Sequence, residues 1–321
     1  MQLSKSLYLR GLQCSKSLWL KKYKPEVLTP PSEQAQDIFK TGGKVGDLAC
    51  QLFPGGKKIP YEGTTYNEKV ALTRQYIDQG VKNIYEASFV FDDVFIMVDI
   101  LHINDDGSVE TYEVKSSTWN EKKKTLKDIQ NYINDVSIQY YVLNGLGFKL
   151  SKCSLTLLDA AYKYKDRLEI EKLFTHVDVT NEVKELQSDI PTYLGTFRRF
   201  LQDRENEPGI DIGAQCKKPY LCDAYEYCWK VQKEIPEYSV FDIFNMGDKP
   251  VSLYKKGVIE IADIPEDTIT TDNQRLIVDA WLNKSTFIDK ETIGNFIKGL
   301  KYPIYHLRSE ERRVGKECRS R

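Results

Sequence analysis

The segment from Val94 to Ser117 constrains this chain more than any other, because it sets two acids and a lysine into an otherwise apolar strand pair. Asp105-Asp106-Gly107 reads as a three-residue hairpin loop with Gly107 at the left-handed position. Folding the chain about Asp106 brings Asp99 opposite Glu113. Opposed residues on one face stand roughly 5 Å apart at Cβ, where two carboxylates repel. Lys115, two residues on, projects from the same face as Glu113. Like charges held among Phe95, Ile96, Met97, Val98, Ile100, Leu101 and Val114 need a partner, and a divalent cation is the obvious one. The competing reading makes Asp99, Glu113 and Lys115 solvent-facing charges on an amphipathic hairpin, which requires strict apolar–polar alternation. Strand 94–103 does not alternate, so Asp99 interrupts a run covered on both faces and the metal-site reading is preferred.

At 321 residues the chain is long enough for one large or two smaller domains. A hydrophobic content of 41%, with 29% charged residues, describes an ordinary globular protein, and no apolar run approaches a membrane span. Lys5, Arg10, Lys16 and Lys21 interrupt the N-terminus too often for a secretory signal, so a cytoplasmic location is expected. A net charge of −1 excludes a globally basic nucleic-acid binder but not a basic patch. Seven cysteines, an odd number, without an export signal read as thiols, ligands or core residues rather than disulfides. The stretch 308–321 resembles the translation of a sequencing adapter; it is read as non-native, with the natural C-terminus missing, and is left out of the fold argument.

Along the chain, helices are expected over 4–24, 33–53 (capped by Ser32) and 65–80. Strands follow at 83–91, 94–103 and 109–116, then a lysine-rich loop (Trp119–Lys127) and a helix over 128–146. A buried strand at 152–161, another near 168–178 and a long helix near 180–204 complete the pattern. This order gives an α/β core with a mixed sheet flanked by helices. Residues 232–307 read as a connecting module with short helices near 272–283 and 289–299, ending in the start of a second domain at 301–307.

Cys216, Cys222 and Cys228 are spaced by two equal gaps of five residues, in a loop rich in tyrosine and tryptophan. Zinc sites space their ligands more tightly, whereas iron–sulfur clusters accept wider gaps and need a fourth thiolate. Cys14 is the one nominated; Cys50 and Cys153 lie in apolar surroundings and read as core. The alternative is three loop thiols without metal.

Together the two constellations resemble the RecB-type nucleases of the PD-(D/E)XK superfamily, in particular the branch carrying a four-cysteine iron–sulfur cluster, typified by the exonuclease of CRISPR spacer acquisition. The likeness spans about residues 1–230. It implies a restriction-endonuclease-like core, Asp99 as the metal-binding Asp, Glu113-Val114-Lys115 as the (D/E)-x-K element, and Gln139 as the glutamine of the following helix. It further implies a 4Fe-4S cluster on Cys14, Cys216, Cys222 and Cys228, which clasps the two ends of a nuclease domain spanning 1–231. More narrowly, residues 41–56 and 302–307 resemble a bacterial family in which such a half precedes a ribonuclease-H-like domain, truncated here. Two departures stand out. Gly46 occupies the position of the family's metal-ligating histidine, with Glu86 as the available substitute. Leu143 stands where a tyrosine is expected, with Tyr140 or Tyr141 to compensate.

The resemblance implies Mg²⁺ or Mn²⁺ held by Glu86, Asp99 and Glu113, with Lys115 positioning a water at a pKa lowered by the cations. Gln139 would orient substrate, and Lys122, Lys123, Lys124 and Lys127 contact phosphates, although such a run is more often a solvated loop. The histidines His102, His176 and His306 form no metal or triad spacing. Gly42-Gly43-Lys44 and Gly55-Gly56-Lys57 lack the P-loop pattern, so a helicase would be a partner and not part of this chain. Two other readings stand beside a metal-dependent DNA nuclease: an inactive iron–sulfur scaffold that binds nucleic acid, and a zinc-stabilised nucleic-acid-binding module.

Overall fold

Ser4 closes the first two-residue strand, β1 (Leu3–Ser4), and its hydroxyl accepts the Leu7 amide to cap helix α1 (Lys5–Gln13). The single helix expected over 4–24 is two: Cys14 is extended (φ −164°, ψ 115°) and separates α1 from α2 (Ser15–Tyr23). The break lets Tyr8 join the main core while Trp19 and Leu20 bury in a second apolar cluster. Ser32 caps α3 (Glu33–Ala49), and a short strand β2 (Lys57–Lys58) follows. Thr65 and Glu68 form a capping box at α4 (Tyr66–Asp78). The computed structural model describes residues 2–301, 303 and 304.

Three long strands, β3 (Asn83–Phe91), β4 (Val94–Ile103) and β5 (Val109–Trp119), form an antiparallel meander. Helix α5 (Gln130–Gly145) is the crossover to β6 (Leu150–Asp159), parallel to β5. Ile170–Leu173, expected as strand, is a short helix, α6, and of that expected strand the part that pairs with β6 is β7 (Phe174–Asp178). The expected long helix over 180–204 is also broken, into α7 (Thr180–Glu185) and α8 (Ile190–Gln202), because Pro191 in the first turn of α8 cannot continue a preceding helix.

The sheet runs β2-β3-β4-β5-β6-β7 with β1 on β4, seven strands of mixed direction. Leu101, Val98 and Ile96 belong to one apolar cluster with Ile138, Val142 and Leu143 of α5; Ile100 and Tyr112 belong to another with Val45 and Ala49 of α3. The expected class, a mixed α/β sheet flanked by helices, is therefore the one observed. Both faces of β4 are covered, as its lack of alternation required.

Two details position the site. Ile100↔Tyr112, Leu101↔Thr111, His102↔Glu110 and Ile103↔Val109 centre the hairpin on Asp106, with Asn104 and Ser108 closing the loop and Gly107 at φ +78°. Beyond Ile100 the two strands part: β3 keeps one edge of β4 out to Val94, while β1 takes the other at Val94 and Phe95. The sheet therefore forks at Asp99, and β1 delivers Lys5 into the fork.

The chain divides into two compact units, the second beginning at Pro236, where the sequence placed its boundary at 231/232. That unit has a small core of Val240, Ile243, Met246, Leu253 and Ile261 with helices α9 (Lys249–Lys255), α10 (Asp272–Leu282) and α11 (Lys290–Lys298). The expected strand start at 301–307 and the tail at 308–321, with His306 and Cys318, lie wholly or largely outside the described residues.

Because the left-handed backbone at Gly107 sets the register that opposes Asp99 and Glu113, Gly107→Val is expected to cost about 1–2 kcal/mol of stability. Urea unfolding of variant and parent measures it.

Candidate active site at the strand fork

Past Tyr112 the β5 amides have no β4 partner in the ladder, and the Asp99 side chain takes over: its Oδ2 accepts the Val114 amide at 2.7 Å. One register step from Tyr112, Glu113 is buried at 3% exposure. Its Oε1 is 2.6 Å from Lys115 Nζ, and its Oε2 is 3.0 Å from Lys5 Nζ and accepts from Gln139 Nε2 at 2.6 Å. Both ammonium groups also reach a residue that sequence reasoning missed: Asp135, at 2.6 Å from Lys115 and 3.0 Å from Lys5. Asp135 lies one helical turn before Gln139 on α5, so the two share the face turned to the sheet. That spacing was a signal available in the sequence. Lys5 had none, since its place depends on β1 entering the fork.

Glu86 completes the row. Tyr85↔Ile100 and Ala87↔Val98 bracket it, so the register sets it across from Asp99, yet the ladder skips it and its φ is +58°. A left-handed glutamate within a strand is strained, and such strain collects at functional positions. Glu86, Asp99 and Glu113 thus line up across β3, β4 and β5, with Asp135 facing them from α5.

The electrostatics follow from these contacts. Lys5 and Lys115 are in contact with Glu113 and Asp135, while Asp99 accepts a backbone amide and Glu86 feels Lys5, Lys58 and Lys69 through space. Burial, then the charges of Asp135 and Asp99, push Glu113 from 4.5 up to about 7. Burial also raises Asp99 and Glu86 against the pull of Lys5. Burial opposes ionisation of Asp135 as well, but Lys5 and Lys115 outweigh it and hold that group well below the usual range. Burial would lower both lysines; the surrounding acids more than offset it and raise them. The lowered Lys115 pKa expected beside metal ions is therefore not what the protein's own groups produce. Gln139 Oε1 is buried without a hydrogen-bond partner, so this pocket leaves an acceptor unsatisfied.

Other expected participants are not brought to the fork. Tyr141 bonds to Asp92 at 3.0 Å, Leu143 lies in the core, and Tyr140 packs beside Ile133 and Leu155, so neither tyrosine replaces the missing one. A Cβ on Gly46 would meet no atom within 4 Å. Lys122 and Lys123 are exposed turn residues, Lys127 is exposed on a short 3-10 helix (Leu126–Ile129), and Lys124 is tied to the Thr118 carbonyl at 2.5 Å.

A second centre lies at the other end of α1. Cys14, Cys216, Cys222 and Cys228 all line one cavity of about 10 Å³, room for a single water. The elements carrying them are tied together by Arg10, whose guanidinium holds both Asp223 oxygens at 2.7 Å, by Lys16 to Glu207 at 2.9 Å, and by Gln13. Burial raises the Cys14 thiol and pushes Cys228 up to about 11, the neighbouring sulfurs adding to both. Cys153 is fully buried and Cys50 packs in the α3 core. Among the described residues no three His, Cys, Asp or Glu side chains are spaced to hold one metal ion as they stand. At the fork the ammonium groups of Lys5 and Lys115 lie between Glu113 and Asp135.

No protein-family model matches the chain, and no curated protein matches it. Among solved structures it is similar to the crystal structure of SSO0001 (11% identity, 60% of this chain and 75% of that one, TM-score 0.29). It is similar also to an alkaline exonuclease (LHK-Exo) from Laribacter hongkongensis (15%, 63% and 90%, TM-score 0.25). A third is a phage-related exonuclease from Haemophilus somnus 129PT (12%, 55% and 89%, TM-score 0.25). Likenesses this remote say nothing of chemistry, which rests on the fork itself.

A carboxyl raised to about 7 binds its proton more tightly folded than unfolded. Its contribution is therefore complete below about 4.5 and is lost as pH rises through about 7. Chelator-treated protein should lose stability between pH 5 and pH 8, and Glu113→Gln should lose less over the same interval, as read from urea midpoints.

Proposed function

We propose that this chain is a metal-dependent nuclease that hydrolyses phosphodiester bonds of DNA in an exonuclease-like manner. One observation carries the reading: the fork gathers Glu86, Asp99, Glu113 and Asp135, and its contact ion pairs, from Lys5 and Lys115, engage Glu113 and Asp135. Among the described residues, carboxylate oxygens of Glu86 and Asp99 are therefore left without an ammonium contact and suit a hard divalent cation. The unpaired Gln139 Oε1 in the same pocket supports it.

The donor set fits Mg²⁺ or Mn²⁺, with oxygen from Glu86, Asp99 and Glu113 as the ligands proposed. Bound there, such an ion supplies Lewis-acid polarisation of a phosphate and a more acidic water. The chain's own groups do the rest. Lys115, kept protonated by its acids, neutralises charge that develops on the phosphate oxygens. Gln139 fixes Glu113 through Nε2 and offers Oε1 to orient a water. Lys5 and Asp135 lock this arrangement from α1 and α5.

The cysteine centre fits a soft metal group in kind, since four thiols from both ends of the domain converge on one cavity. Our reading assigns it a structural 4Fe-4S cluster held by Cys14, Cys216, Cys222 and Cys228. The raised thiols mean that binding would release protons. An inactive scaffold is the reading favoured by the ammonium groups that already bridge Glu113 and Asp135.

Cleavage of end-labelled DNA with Mn²⁺ by anaerobically purified protein separates these readings. Activity is expected, falling at least 10²-fold, an order-of-magnitude estimate for removing one charge-stabilising group, in Glu113→Ala and Lys115→Ala. Iron analysis of the same sample is expected to find iron and not zinc, and the iron to be lost in Cys222→Ser. Equal cleavage by the parent and both fork variants would remove the assignment.

A further inference from the structure

The loop between Cys216 and Cys222 is closed by the Cys222 amide on the Cys216 carbonyl at 2.9 Å, and residues 217–221 within it are all exposed. Tyr220 is 58% and Leu221 68% exposed, an unusual display for a segment so firmly held. Gln13 Nε2 donates to the carbonyls of Gln215 and Tyr220, both at 2.8 Å. The Tyr220 hydroxyl accepts from Asn131 Nδ2 at 2.6 Å and lies within hydrogen-bonding reach of Tyr132. Tyr132 in turn carries Lys115 Nζ over its ring at 5.5 Å, and Lys115 holds Glu113 and Asp135. An exposed aromatic ring is thus chained, contact by contact, to the centre of the fork.

We propose that Tyr220 is a stacking platform for an unpaired nucleobase, so that the cysteine loop selects single-stranded ends for the fork. This deepens the nuclease reading and rests on it. Every base offers a π-face, so stacking on tyrosine is tolerant of sequence; a duplex offers one only on its terminal pair, whereas every base of a single strand can present one. Lys217 and Lys218 on the same loop supply positive charge for the adjoining phosphates, Lys217 lying 5.2 Å over the Trp229 ring. The cysteine centre then has a structural purpose, since it fixes the loop on which the ring stands.

Fluorescence anisotropy tests this, with full-length protein, labelled oligothymidylate and a blunt hairpin duplex, and Ca²⁺ in place of Mn²⁺. Tyr220→Ala is expected to lower the single-strand to duplex affinity ratio roughly tenfold, about the worth of one stacked base. Tyr220→Phe, which keeps the ring and loses only the hydroxyl, should restore the parent ratio to within about twofold. An unchanged ratio in Tyr220→Ala overturns the platform, as does a Phe variant as impaired as Ala. Parent protein that cuts duplex in the Mn²⁺ assay but does not hold oligothymidylate in Ca²⁺ overturns the platform alone. Parent that neither cuts nor binds DNA overturns the nuclease reading with it.

Discussion

Four carboxyl groups gather at one fork of a sheet and contact ion pairs form with two of them, Glu113 and Asp135; much of this structure follows from that uneven pairing. Water would ordinarily hydrate such acids, but both faces of β4 are covered and Glu113 and Asp135 are buried. The charge is therefore divided unevenly: Asp135 keeps its ionised form between Lys5 and Lys115, and Glu113 tends to hold a proton. A buried ion pair broken on one side is costly, so each acid here depends on the lysines and each lysine on the acids. The fork is held as a polar network in which the acids share the lysines unevenly, and the proposed cation would take up the remaining carboxylate oxygens.

Helix α1 joins the two centres. Lys5 stands at its first residue in the fork, and Cys14 follows its last residue at the cysteine cavity. Nine helical residues make a strut about 13 Å long. Its outer end is fastened by Arg10 and Gln13 to the loop bearing Cys216 and Cys222. The close approach of Phe197 to Gly11, where a Cβ would stand 2.8 Å from the ring, seats the strut against α8.

Much of this was legible in the residues. The hairpin about Asp106 followed from Asp-Asp-Gly, the opposition of Asp99 and Glu113 and the placing of Lys115 followed from its register, and Gln139 was nominated only through the family resemblance. What escaped was tertiary. Lys5 sits in a segment that reads as the start of one helix, and nothing local tells that Leu3 and Ser4 pair with β4. The break at Cys14 is likewise decided by where Trp19 and Leu20 can bury. Pro191, by contrast, was a visible stop inside the helix expected over 180–204, and it should have divided that helix. Asp135 was overlooked because an isolated aspartate on an amphipathic helix normally faces water.

The central claim is that the fork takes a divalent ion onto its carboxylate oxygens. Calorimetric titration of chelator-treated protein with Mn²⁺ at pH 7, repeated in buffers of different ionisation heat, measures ion uptake and proton release together. The account predicts that Mn²⁺ binds with net release of protons, as Glu113 gives up the one it holds, and that Asp99→Asn weakens binding and Glu113→Gln abolishes the release. Mn²⁺ that does not bind, or that binds both variants as it binds the parent, would contradict it.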